Sequence, residues 1–241
     1  TKSVDGSIIY SDTQDLFSKK LAEHFGMDTS AMMGGDESSP MSSMTSMSPL
    51  AGSGMNLWTE MLSGKDGSLI NPMLEKQYDV IYGAWPNQAN EIVLVVNENN
   101  ELDDLTLYAL GLESEEEIDH LFEAVLKDEE LNVTQKSWSY EDICNMEFRV
   151  VLNSDCFAYD KETGLFTDLR ETDAGLRYLY DNAMTLKVTG IIRPSEEASS
   201  SMLTGSIGYT KALTEYVIEH SKESAAIRAQ QEDPHTDIFT G

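Results

Sequence analysis

Basic residues are scarce in this 241-residue chain: 16 lysines and arginines stand against 43 aspartates and glutamates, a formal net charge of −27. Neutralising phosphates requires clusters of Lys and Arg, so nucleic acid is excluded as a partner, and so is adhesion to anionic lipid headgroups. Cysteine is nearly absent. Cys144 and Cys156 are too few for a disulfide scaffold or a four-thiolate zinc site. The extended stretch Glu147 to Leu152 between them, at about 3.3 Å per residue, should hold them beyond the ~7 Å a disulfide tolerates, so both are expected as free thiols. No apolar run approaches the roughly 18 residues that cross a bilayer, and no basic, apolar, small-residue leader opens the chain.

Catalytic signatures are missing as well. The four histidines, His24, His120, His220 and His235, show neither HExxH nor any paired spacing, and no Walker A string occurs. The nearest approach to a nucleophile elbow, Gly205, Ser206, Ile207, Gly208, sets the serine beside the first glycine and lacks the preceding strand. Glu115, Glu116 and Glu117 are ordinary in so acidic a chain. Asn97, Asn99, Glu101, Asp103 and Asp104 are rich in oxygen. An EF-hand counted from Asn97 nevertheless needs Gly and Glu where Leu102 and Tyr108 stand, so the run reads as a loop leading into a helix. No catalytic, cofactor-binding or metal-binding residue is therefore assigned, and no cofactor is expected. The acidic surface keeps a domain soluble, or gathers cationic peptides or divalent ions.

What the chain does contain is best seen at 78 to 112. Ile92, Val93, Leu94, Val95 and Val96 form a short β-branched run that predicts a buried strand, preceded by turn chemistry at Gly83, Pro86, Asn87 and Asn90. Leu102, Leu105, Ala109 and Leu110 then recur at helical spacing, with Asp103 as N-cap and Gly111 just past the C-terminus.

Further along, Ser114 and Glu117 make a capping box for a helix to Lys127 with Ile118, Leu121, Phe122 and Val125 inward. A helical turn is predicted at Tyr140 to Asn145, a strand at 147 to 152, and a hairpin around Asp160 to Gly164. A helix capped by Asp173 follows, then an alternating strand from Leu186 to Ile192 and a helix from Thr210 to His220 with Leu213, Val217 and Ile218 inward. Ser221 to Gln230 predicts one more helix.

Before Tyr78 the signals are weaker. Ile8 to Tyr10 reads as a strand end, Asp12 caps a helix carrying Leu16, Phe17, Leu21 and Phe25, and Leu57 to Leu62 reads as a short amphipathic helix. Pro72 to Lys76 starts another turn. Met27 to Met55 holds seven of the twelve methionines among Ser and Gly; it reads as a mobile low-complexity insertion, with thioether capture of Cu(I) as the alternative.

The wording of the run YGAWPNQANEIVLVV followed by LYALGL resembles the extracytoplasmic domain of MacB-like permeases, of the FtsX superfamily of ABC transporters, as found in Gram-positive anaerobes. EFRVVLNSDCFAYDKETGLFTDL at 147–169, LKVTGIIRP at 186–194 and IGYTKALTEYVIEHSKESAAIRAQQ at 207–231 resemble later segments of the same domain, in the same order. The similarity weakens before Trp58.

The resemblance implies an α/β (α+β) fold with a porter-like mixed lobe from residues 1–77 and 196–241. An inserted strand-rich, Sabre-like lobe would comprise 78–195, with Tyr78 to Leu112 a hinge region in which Trp85 and Gly83 serve lobe packing. It also implies an extracellular location on a bacterial plasma membrane and attachment only through membrane helices flanking this sequence. The partners would be a second permease copy, an ATP-binding subunit or domain, and a cargo of peptide, lipid-linked or antimicrobial character. By itself the domain would be non-catalytic. The Met-rich insertion and the acidic helix at 114–127 depart from the Gram-negative members, which puts their adaptor contacts in doubt here. A secreted acidic module that binds cationic ligands is the other reading.

Overall fold

The computed structural model describes residues 57–127, 136–196, 198 and 201–241. In chain order the elements are β1 (Trp58–Met61), α1 (Pro72–Gln77), β2 (Tyr78–Gly83), β3 (Glu91–Val95), α2 (Asp104–Leu110), α3 (Glu115–Lys127), α4 (Tyr140–Cys144) and β4 (Glu147–Val150). Then come a 3-10 turn at Asn153–Cys156, β5 (Phe157–Tyr159), β6 (Phe166–Asp168), a second 3-10 turn at Leu169–Glu171, α5 (Asp173–Asn182), β7 (Met184–Pro194), β8 (Ile207–Thr210), α6 (Lys211–Lys222) and α7 (Ala225–Glu232). The fold is mixed α/β around one mixed sheet of order β1-β8-β3-β7-β2, with β4 also on β7; β5 and β6 form a separate two-stranded ribbon.

Ile92, Val93 and Leu94 of β3 are completely buried, because both faces of the sheet are covered. Successive side chains of a strand point to opposite faces. Ile92 and Leu94 accordingly join Leu110, Phe148, Leu186, Ile207 and Leu213 in one core, while Val93 joins Met61, Ile70, Leu74, Tyr78 and Leu203 in the other. Each such side chain contributes about 1.5–3 kcal/mol of burial.

Strand β7 is the longest and carries neighbours on both edges. It runs parallel to β3 along one, and antiparallel to β4 and then β2 along the other. Opposite β3 it contains one extra residue: Val188 faces Ile92 but Gly190 faces Val93, leaving Thr189 as a bulge. The bulge resets the alternation, so that Ile191 joins Leu186 and Val188 in the first core and Ile192 turns to the second. Thr189 is held from both sides. Its hydroxyl donates to the Ile92 carbonyl at 3.3 Å, and its own carbonyl accepts from the Ala84 amide at 2.9 Å. Strand β2 shifts register beside it, between Val80 and Tyr82, and ends at Gly83 with φ 73°. A Cβ at Gly83 would lie 2.1 Å from the Thr189 oxygen, and one at Gly190 2.4 Å from the Ala84 oxygen. Only glycine fits either position.

The buried ring of Tyr78, at the start of β2, fastens the segment before β8. Its hydroxyl accepts from the amides of Met202 at 3.0 Å and Leu203 at 2.8 Å and lies 2.9 Å from the Ser201 hydroxyl.

Several expectations are met in detail. Asp103 caps α2 by accepting from the Thr106 amide at 2.8 Å, and Gly111 ends it in the left-handed conformation. Ser114 and Glu117 form the reciprocal box of α3, Gly164 takes the positive φ of the β5–β6 turn, and both cysteines are free.

Others are corrected. Leu57 to Leu62 is not a helix: Trp58–Met61 is an edge strand whose partner, β8, lies far along the sequence. Tyr78–Gly83 is a strand and not only turn chemistry. Thr172, not Asp173, caps α5: its hydroxyl oxygen accepts from the Gly175 amide at 3.0 Å. Ile218 is 49 % exposed, and Trp85 is half-buried against the second core. Both of the segments assigned to separate lobes contribute strands to the one sheet, β1 and β8 from 1–77 and 196–241 and β2, β3, β4 and β7 from 78–195. The features read at 8–25 and 27–55, and the side chains of Leu121, Phe122 and Val125, lie outside the described residues.

Two substitutions test this framework. Gly190→Ala should destabilise by about 1–3 kcal/mol through overpacking against backbone, seen as a loss of about 2–4 °C in Tm per kcal/mol in a domain of this size. Tyr78→Phe strands two amides and should cost about 1–3 kcal/mol in urea unfolding; an unchanged midpoint would contradict the role given to its hydroxyl.

Candidate functional site

Among the described residues, the polar groups singled out in the sequence do not converge; His24 lies outside them. His120 and His235 are exposed, while His220 places Nδ1 2.9 Å from the Tyr216 carbonyl and stacks on the Tyr216 ring. Ser206 donates to the Asp103 carboxylate at 3.2 Å, which ties the start of α2 to the segment entering β8. In the oxygen-rich loop, Asn97 Oδ1 accepts from the amides of Asn99 and Glu101 at 2.9 Å each, and Asn100 takes φ 65°. Asp103 is engaged as a cap and by the Thr106 hydroxyl. These oxygens therefore build a turn and a helix start. Among the described residues no three His, Cys, Asp or Glu side chains are arranged to hold a metal ion. Burial pushes both the Cys144 and the Cys156 thiols up, which disfavours the nucleophilic thiolate.

Two polar arrangements remain. The first closes the α2–α3 corner, where Lys136 Nζ lies 2.7 Å from the buried Glu113 carboxylate and also bonds Glu117. Burial raises Glu113, and a hydrogen bond with Glu117 raises it further. Glu117 is the reverse case: hydrogen bonds from Glu113, from Lys136 and from the Ser114 backbone bring it down to about 2. One carboxylate of the pair therefore takes a proton first and the other keeps its charge toward Lys136. Asp104 nearby is raised by burial and by the charge of Asp103. Sequence reading found the capping box but not Lys136, which lies 19 residues beyond Glu117.

The second is a cleft of about 260 Å³ where α5, the first 3-10 turn and the start of α7 meet. Val151, Phe157 and Leu179 give it apolar walls, and Asp155, Asn182, Ser154 and Ser224 give it polar ones. Tyr178, 60 % exposed, stands at its edge. Nothing in the sequence marked this cleft, because its lining comes from three separate stretches of chain.

Compared with known proteins, the chain matches no family model, no curated protein and no solved structure.

The corner cluster predicts a pH dependence. A carboxylate whose folded pKa lies below its unfolded value adds stability above the unfolded value and loses it as the pH falls through the folded one. Glu117 should therefore contribute stability that fades between its ordinary 4.5 and about 2. The difference in Tm between the parent chain and Glu117→Gln should shrink over that window; a constant difference would remove Glu117 from the account.

Proposed function

We propose that this chain is the extracellular domain of a MacB-like, FtsX-superfamily ABC permease, non-catalytic in itself. It would couple cytoplasmic ATP hydrolysis to efflux or handling of a peptide, lipid-linked or antimicrobial cargo. The motifs quoted above carry the family likeness. The feature of the fold that supports it most is the pairing of β1 with β8. These strands come from opposite parts of the chain and are parallel neighbours, Trp58 opposite Ile207 through Met61 opposite Thr210. A displacement applied on either side of the folded unit then passes through hydrogen-bonded strands to β3 and β7. A sheet that includes both β1 and β8 transmits movement; a flexible tether would absorb it.

Within this reading residues 1–77 and 196–241 are the porter-like lobe and 78–195 the inserted Sabre-like lobe, with the six-stranded sheet shared between them. The partners are a second permease copy and the ATP-binding subunit, met through membrane helices outside this sequence. The second reading, a secreted acidic module for cationic ligands, rests on the net charge of −27. It predicts a cleavable leader and ligand binding that weakens with salt.

The full-length chain decides between them. One membrane helix of about 20 apolar residues is expected just before Thr1 and three after Gly241. In reconstituted vesicles, removal of residues 57–241 should leave ATP hydrolysis measurable but uncoupled from cargo movement. A cleavable leader with no later membrane helices would overturn the permease reading.

A further inference from the structure

We propose that the cleft between α5, the first 3-10 turn and α7 is a binding site for a single arginine side chain of a cationic peptide. Neither the site nor its ligand depends on the permease reading. Room comes first: 260 Å³ is below the ~300–1,000 Å³ of small-molecule pockets. At about 30 Å³ per liquid water it accommodates one long side chain and little more.

The polarity of the lining selects the ligand. The lining includes no Lys, Arg or His, and several of its side-chain donors are engaged internally. Ser224 donates its hydroxyl to the Ser154 carbonyl at 2.8 Å, Asn182 donates Nδ2 to the Tyr178 carbonyl at 2.8 Å, and Ser154 points its hydroxyl at Asp155 from 3.5 Å. Against these stand the Asn182 carbonyl oxygen, hydroxyl lone pairs and the exposed Asp155 carboxylate, which is the one charged group of the lining. No salt bridge among the described residues engages Asp155.

The N-terminal end of α7 contributes positive character at Ala225, but about half a charge against the full charge of a carboxylate. A guanidinium has five donors and no acceptor, and its plane stacks on aromatic rings. The exposed Tyr178 ring at the edge of the cleft supplies such a face. The net charge of −27 favours the approach of a cationic peptide from a distance.

The test is a backbone-amide NMR titration of the whole chain at physiological ionic strength. The probe is a blocked Gly-Arg-Gly peptide, with Gly-citrulline-Gly as its neutral, isosteric control. Saturable shifts are expected at Asp155, Tyr178, Asn182 and Ala225, with the citrulline peptide weaker by about fivefold or more, since it loses the ion pair. Asp155→Asn should weaken the arginine peptide by about two- to fivefold, and Tyr178→Ala by about threefold. Unchanged amides in β3 and β7 would verify that both variants fold. Shifts spread evenly over the acidic surface, equal binding of the citrulline peptide, or indifference to both substitutions would each overturn the assignment.

Discussion

The bulge at Thr189 is the constraint on which the rest of the structure depends. β7 must serve two cores at once, with Leu186, Val188 and Ile191 on one side and Ile192 on the other. Strict alternation would send Ile191 to the wrong face, and a slip of one residue inverts every side chain beyond it. The extra residue corrects the parity. It also requires β2 to shift register and Gly83 to cross Gly190 with no room for a Cβ on either. Those glycines, the hydroxyl of Thr189 and the Ala84 amide form one interlocked unit around which β2, β3 and β7 are aligned.

Local chemistry was legible in the sequence; pairing was not. Asp103, Gly111, the Ser114–Glu117 box and Gly164 act within a few residues of themselves, and their side chains dictate caps and turns wherever the chain goes. The β-branched run at 92–96 likewise fits only a buried strand. By contrast, Trp58 to Met61 has too short a pattern to distinguish helix from strand, and what makes it a strand is β8, almost 150 residues on. Tyr78–Gly83 was obscured by its glycine and by the bulge, which breaks its alternation. Thr172 displaced Asp173 as a cap because both are capping residues, and the choice depends on backbone geometry that adjacent letters do not reveal. The cleft could not be read at all, since Asp155, Tyr178 and Ser224 become neighbours only through packing.

An excess of 27 negative charges has consequences for packing as well as solubility. Each cation can be shared, and Lys136 between Glu113 and Glu117 shows how. The buried Glu113 is tolerated because burial favours its neutral form, while the more exposed Glu117 remains ionised toward the ammonium. A similar economy operates at Glu91, whose nearly buried carboxylate accepts from the Asn87 and Gln88 amides at 2.7 and 3.2 Å. It organises the loop ahead of β3 without any cation. Acidic residues in this chain are thus structural wherever backbone amides or a lysine can meet them.

That distribution bears on function. A catalytic carboxylate needs an open face toward substrate and a partner that tunes its protonation. Asp103, Glu91 and Glu117 each have their oxygens committed to caps, loops or the Lys136 contact. The buried Tyr78 hydroxyl serves as an anchor for residues 201–203. Asp155 differs, being exposed in a cleft in which it is the one charged group, and no salt bridge among the described residues engages it. With no basic residue lining that cleft, its carboxylate is open to a cation that a ligand brings. Holding a cation at that position is what the proposed cargo-facing role would require.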